Sequence, residues 1–160
     1  MEIERKWRLK GLPQITTAGG KKITHARIRQ GYVCNVCVGR GELRIRDKDG
    51  KYYLTVKGDG TISREEWETE IPPWVFEQLW LNCRDCTLEK MRYFVPYGEF
   101  TLEIDSYFGP LSELTTLEIE FASEEQARQF DVTAIAADAV DVTDDKRYKN
   151  KSLAMYGLPE

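Results

Sequence analysis

The 160-residue chain is predicted to be mainly β (α+β), a closed eight-stranded antiparallel β-barrel with a polar, charged lumen and a few covering helices. Three observations predict it. Hydrophobicity alternates with period 2 over eight separate segments, the signature of strands. Tight-turn dipeptides join several of those segments, as hairpins require. The polar side of the alternation is almost wholly charged, whereas a solvated sheet face ordinarily mixes Thr, Ser, Gln and Lys.

The first strand, 1–9, puts Glu2, Glu4 and Lys6 on one face. The second, 25–33, carries His25, Arg27 and Arg29; His25 reads as a solvated polar residue without a role. In the third, 41–48, Glu42, Arg44 and Arg46 alternate with Leu43 and Ile45. Asp49-Gly50 is a tight hairpin turn into the fourth strand, 51–58, where Lys57 opposes Leu54 and Val56. Gly58-Asp59-Gly60 turns again into the fifth, 62–71, with Arg64, Glu66, Glu68 and Glu70 against Trp67 and Ile71. Pro72-Pro73 opens a helix through Leu81, since proline suits a first helical turn. The sixth strand, 88–96, carries Lys90 and Arg92, and Tyr97-Gly98 turns it into the seventh, 99–107, with Glu103 and Asp105. The eighth, 115–122, sets Glu118 and Glu120 against Leu117, Ile119 and Phe121. Ser123-Glu124-Glu125-Gln126 is a capping box for a helix to Phe130. Residues 131–143 read as a connection, and 149–157 as a short helix ended by Gly157. Without a repeat or low-complexity tract, 1–160 is expected to be a single domain.

Composition narrows the function. There are 27 acidic and 23 basic residues, one His and a net charge of −4, with a pI near 5.2. The acidic balance argues against a nucleic-acid partner, and a single His against His-based triads or cages. No apolar run approaches a membrane span and no signal-peptide pattern follows Met1, so a cytoplasmic protein without a membrane partner is expected.

The charges also come in like pairs: Glu2/Glu4, Glu66/Glu68, Glu103/Asp105 and Glu118/Glu120 among the acids, Arg44/Arg46 and Lys90/Arg92 among the bases. Neighbours two apart on a strand lie about 6.5–7 Å apart, so each pair repels unless it shares a counter-ion. About eight strands can close on themselves, and the inside of such a barrel need not be apolar. Paired carboxylates supply hard oxygen ligands for Mg²⁺ or Mn²⁺, and inward Arg and Lys match phosphate oxygens. Phosphoryl transfer needs mainly positioning and charge neutralisation, so the scarcity of His is no obstacle.

In order, Glu2-Ile3-Glu4-Arg5-Lys6 (an ExExK motif), Arg29-Gln30-Gly31-Tyr32, Glu42-Leu43-Arg44-Ile45-Arg46, Leu54-Thr55-Val56-Lys57, Ser63-Arg64-Glu65-Glu66-Trp67-Glu68, Glu89-Lys90-Met91-Arg92-Tyr93, Glu103-Ile104-Asp105, Glu118-Ile119-Glu120 and Thr143-Asp144-Asp145-Lys146-Arg147-Tyr148-Lys149-Asn150 resemble the CYTH superfamily of triphosphate tunnel metalloenzymes. The similarity is greatest to short bacterial members that hydrolyse inorganic tripolyphosphate. It implies a small-molecule triphosphate substrate and Mg²⁺ or Mn²⁺ as cofactor. It also implies metal ligands at Glu2, Glu4, Glu118 and Glu120, and phosphate-binding cations at Lys6, Arg44, Arg46, Lys57, Arg64, Lys90 and Arg92. Glu66, Glu68, Glu103 and Asp105 would be supporting carboxylates, orienting those cations or the waters of a second metal. For the catalytic base, Lys6 and Tyr32 are expected to depress each other's pKa; a water deprotonated by Glu118 or Glu120 is the competing choice.

Nucleoside triphosphates or longer phosphate chains stay open as substrates, as do adenylate cyclisation and non-catalytic polyphosphate binding. Cyclases of the family carry residues ahead of ExExK, here preceded only by Met1. Association into a homodimer is left open. Cys34-x-x-Cys37 and Cys83-x-x-Cys86 form two knuckles suited to a structural Zn²⁺, a departure from the family pattern. Lys146, Arg147, Lys149 and Lys151 read as a solvated face, or as a guide for anions.

Overall fold

The computed structural model describes residues 2–15, 17, 20–33, 41–59 and 62–160. Its strands are β1 (Glu2–Leu9), β2 (Thr24–Tyr32), β3 (Glu42–Lys48), β4 (Lys51–Lys57), β5 (Ser63–Arg64), β6 (Glu66–Glu70), β7 (Thr87–Tyr97), β8 (Phe100–Tyr107), β9 (Thr115–Glu120) and β10 (Val140–Asp141). The helices are α1 (Pro73–Trp80), α2 (Glu124–Gln129) and α3 (Asn150–Tyr156). Hydrogen bonding runs β10–β1–β9–β8–β7–β2–β3–β4–β6, and β5 returns to pair with β1. The result is a nearly closed antiparallel barrel of nine strands, β1 to β9, with β10 added outside.

The ninth strand arises because the predicted fifth strand is broken. Glu65 separates β5 from β6, so that one half pairs with β1 through Glu2↔Arg64 and Ile3↔Ser63. The other half pairs with β4 from Tyr53↔Glu70 to Lys57↔Glu66. The split lets one segment bridge both sides of the ring. β10 lies in the stretch expected to be a plain connection; it pairs Asp141 with Trp7 and Val140 with Arg8.

The turns follow their residues. Asp49 and Gly50 both have positive φ, 50° and 84°, the type I′ geometry that matches strand twist. Gly98, with φ 59°, turns β7 into β8. The turn expected at Gly58-Asp59-Gly60 extends beyond the described residues at Gly60. Ser123 caps α2 by accepting from Gln126 N at 3.1 Å.

Aliphatic residues face outward, as the alternation requires. Trp7, Val95, Leu102, Ile104, Leu117 and Ile119 pack with Phe121, Ala127 and Phe130 from the segment around α2. On the far side Ile45, Phe76 of α1 and Cys83 form a second cluster. Gly31 permits that contact: a Cβ there would lie 2.9 Å from Cys83 Sγ. His25 is exposed beside Tyr93. No helix among the described residues is long and apolar enough to cross a membrane.

Candidate active site

The inward faces meet around one cavity of about 220 Å³. Glu2, Glu4 and Lys6 reach it from β1, Tyr32 from β2, Arg44 and Arg46 from β3, Lys57 from β4 and Arg64 from β5. Glu66 and Glu68 of β6, Arg92 of β7, Glu103 of β8, and Glu118 and Glu120 of β9 complete the barrel's share of the expected set. Lys90 and Asp105 are not on the cavity wall. Both are fully buried behind it, with Lys90 Nζ 2.8 Å from Asp105 Oδ2.

Sequence reasoning missed Glu42 and Asp145, which also line the cavity, and placed Lys149 only in a basic run read as a solvated face or a guide for anions. Glu42 shares its face with Arg44 and Arg46, so strand parity alone could have included it. The basic run near the C-terminus divides: Lys149 reaches the cavity, whereas Arg147 is exposed and pairs with Asp145 at 2.7 Å. Thr143, Tyr148 and Asn150 join the wall from the same segment.

Pairing holds the charges in place. Lys57 Nζ donates to Glu2 Oε1 at 2.8 Å, and Arg64 Nη1 donates to Glu42 Oε1 at 3.1 Å. Arg64 Nη2 also lies 3.8 Å from Glu4 Oε1. Lys6 Nζ donates to Tyr148 O at 2.6 Å and stands 3.5 Å from Glu118. Arg92 grips Asp105 through Nε and Nη2 at 2.7 and 2.8 Å and also reaches Glu103. Arg46 donates twice to Gln30 Oε1, at 3.2 and 3.1 Å. Arg44 Nε is buried without a hydrogen-bond partner among the described residues. A buried orphan donor on a cavity wall is what an absent anion would leave.

The carboxylates do not share one character. Burial, then repulsion from Glu118 and Glu2, raises Glu4 to about 7. Burial alone would also raise Glu118, but Lys6, Arg92 and Lys90 hold it well below the usual range. Glu2 is raised by burial and by its hydrogen bond with Glu66. Burial, followed by Glu42, pushes the Tyr32 hydroxyl up, and it accepts from Gln30 Nε2 at 2.8 Å. Burial thus moves Tyr32 in the direction opposite to the depression expected beside Lys6.

Nine carboxylates and seven cations line the cavity, a surplus of two negative charges. Glu4 faces Glu120 directly across β1–β9, and Glu103 faces Glu118 across β8–β9. Such pairings are destabilising by themselves and suit a bound cation. Among the described residues no three His, Cys, Asp or Glu side chains are gathered closely enough to hold a metal unaided. A site that uses one or two carboxylates together with substrate oxygens does not need them to be.

The CYTH domain model matches residues 1–153. The chain belongs to the CYTH family. An inorganic triphosphatase of Nitrosomonas europaea is 36% identical over 156 residues, covering 96% of this chain and 97% of that one. An inorganic triphosphatase of Acetivibrio thermocellus is 35% identical over 156 residues, covering 95% of this chain and 92% of the other. A crystal structure of an inorganic triphosphatase superposes with a TM-score of 0.68 at 33% identity, covering 100% of this CYTH chain and 97% of its counterpart.

Of the two cysteine knuckles, Cys34 and Cys37 lie outside the described residues. Cys83 and Cys86 are both buried on a tight turn, with Asp85 at φ 54° between them and Cys86 N donating to Cys83 O at 2.8 Å. Cys86 O accepts from Tyr32 N at the end of β2.

Proposed function

We propose that this CYTH protein hydrolyses inorganic tripolyphosphate with Mg²⁺ or Mn²⁺ as cofactor. One observation carries the reading. Cations from five strands and the C-terminal segment converge on a single cavity together with excess carboxylates. Seven cations suit a polyanion, and excess carboxylates among them suit divalent ions, which would bring the cavity to a net positive charge.

Glu2, Glu4, Glu118 and Glu120 would hold the metal. The opposed Glu4–Glu120 pair supports that assignment, because two facing carboxylates are relieved by a positive charge between them. Bound there, the ion would neutralise phosphate charge and polarise the bond to be broken. The chain's own cations do the positioning. Arg44 and Arg46, two apart on β3, present guanidinium groups to one phosphate region, and the unpaired Arg44 Nε is free to donate to it. Lys57, Arg64 and Arg92 surround the cavity while already leaning on carboxylates, so they are pre-oriented before substrate arrives. Lys6, tied to Tyr148 O, brings an ammonium to the side closed by the C-terminal segment. The two Cys-x-x-Cys pairs are proposed as a structural zinc site; of them Cys83 and Cys86 sit on a buried turn off the cavity wall.

The deciding assay offers tripolyphosphate, ATP and pyrophosphate to the purified protein with Mg²⁺ or Mn²⁺ and measures both phosphate and cyclic AMP. Phosphate released from tripolyphosphate, and lost on chelation, is expected. Cyclic AMP from ATP would instead indicate a cyclase, and binding without turnover a sensor.

A further inference from the structure

Arg46 is held differently from the other cations on the barrel strands. Lys6, Arg44, Lys57, Arg64 and Arg92 each stand close to a carboxylate oxygen: Glu118 at 3.5 Å, Glu68 at 3.8 Å, Glu2 at 2.8 Å, Glu42 at 3.1 Å and Asp105 at 2.7 Å respectively. Among the described residues Arg46 has no such partner, and the acceptor it finds is neutral: Nε and Nη2 donate to Gln30 Oε1 at 3.2 and 3.1 Å. Gln30 stands directly across from Arg46 in the β2–β3 register. It is fully buried and off the cavity wall, which Arg46 and Tyr32 both line. Its amide has one possible orientation. A guanidinium only donates, so the amide oxygen faces Arg46 and the amide nitrogen is left to donate to Tyr32 OH, at 2.8 Å. Burial, then Arg44 and Arg92, lowers Arg46 to about 10, so the side chain is cationic at neutral pH although nothing anionic is bonded to it.

We propose that Gln30 is a positioning residue, which aims the Arg46 guanidinium into the cavity without neutralising it, so that Arg46 keeps its whole charge for an incoming phosphate. This rests on the triphosphatase reading and adds to it a residue that touches no substrate. A carboxylate at this position would fix the guanidinium equally well. It would also cancel the charge and add to the surplus of negative charge already lining the cavity. An aliphatic side chain would leave the charge and lose the aim. The amide does both, because its oxygen accepts two N–H bonds while its net charge is zero. With Nε and Nη2 engaged at Gln30, Nη1 is the end of the fork left for a ligand.

The test compares wild type, Gln30→Glu, Gln30→Met and Tyr32→Phe. It measures melting temperature with and without tripolyphosphate in EDTA, kcat and KM with Mg²⁺, and the dependence of KM on ionic strength. Gln30→Glu should melt within a few degrees of wild type, yet its KM for tripolyphosphate should rise about tenfold, the worth of one charge-assisted hydrogen bond. Its KM should also depend less steeply on salt, because one cation fewer meets the substrate. The change in kcat should be far smaller. Gln30→Met should raise KM while keeping the wild-type salt dependence. Tyr32→Phe, which removes the other partner of the amide, should keep that dependence too. Wild-type KM and salt dependence in a stably folded Gln30→Glu would overturn the proposal, as would the same flattened dependence in Tyr32→Phe. A lowered melting temperature in Gln30→Met with unaltered KM would reduce Gln30 to a packing role. If tripolyphosphate stabilises wild type in EDTA but releases no phosphate with Mg²⁺, the triphosphatase reading falls alone; an equal stabilisation of Gln30→Glu would then overturn the role of Gln30 as well.

Discussion

Glu4 stands directly across from Glu120 in the β1–β9 register, one carboxylate against another on the cavity wall. Facing like charges cost roughly 0.2–1 kcal/mol across an antiparallel pair. Glu120→Gln should therefore raise the melting temperature of metal-free protein by about 1–4 °C. It should also shrink the extra stabilisation that Mn²⁺ provides. Thermal unfolding with and without Mn²⁺ reads both, and an unchanged Mn²⁺ effect would remove Glu120 from the metal set.

Arg44 is 5% exposed and its Nε has no partner among the described residues. If a phosphate supplies that partner, Arg44→Met loses a charge-assisted bond worth about 1.5–3 kcal/mol. The KM for tripolyphosphate should rise about 10- to 100-fold, with little change in melting temperature. A fall in stability with unaltered KM would make Arg44 a structural residue only.

Lys6 touches both Glu118 and the C-terminal segment. Lys6→Ala should cut turnover by about 10²- to 10³-fold, the range for losing an electrostatic contact in a water-poor site. Mn²⁺ should still raise the melting temperature of the variant. Turnover within a few-fold of the parent would sink the role.

Burial, reinforced by Arg92, lowers Lys90 to about 7. Asp105 offsets this only in part, because Arg92 already neutralises it through two hydrogen bonds. Between pH 7 and the ordinary lysine value of 10.5 the unfolded chain holds a proton that folded Lys90 has released. Stability from this group therefore rises as pH increases across that window, and its full cost is present below it. Chemical denaturation of wild type and Lys90→Met from pH 6 to 10 should show the variant's advantage disappearing toward high pH. A constant difference would refute the shift.

Metal analysis of the purified protein should find about one zinc per chain, as a four-cysteine site would hold. Loss of that zinc in both Cys34→Ser and Cys86→Ser is expected. Zinc-free protein with four reactive thiols would rule the site out.

Strand parity made most of the lumen legible. A face bearing Glu2, Glu4 and Lys6 is intelligible only if it looks into something charged, and that argument places Arg44, Lys57 and Glu118 equally well. Parity says which side a residue faces but not how far along the barrel axis it sits. Lys90 and Asp105 share the inward register yet lie behind the cavity wall, where β7 and β8 approach the apolar cluster of the C-terminal segment. The break at Glu65 was equally invisible, because the alternation from Arg64 to Glu70 runs through it unchanged; only ring closure demands it. Lys149 was legible only as part of a basic run, because its position depends on where a short turn docks, a tertiary matter that a run of charges does not encode. The direction of the Tyr32 shift depends on burial and on Glu42 nearby, neither of which a motif reveals.

Among the described residues the seam between β1 and β5 joins two residue pairs, with one more bond from Glu4 N to Ile62 O beyond them. Every other ladder among the described residues of the ring is longer, so the barrel should breathe there first. Amide hydrogens near Glu4 would then exchange with solvent sooner than those in the middle of β8. Because Arg64 on one edge contacts Glu2 and Glu4 on the other, a ligand held by these groups acts as a stitch across the weakest join. Slower exchange at the seam on adding tripolyphosphate would make occupancy of the lumen and closure of the barrel two readings of one event.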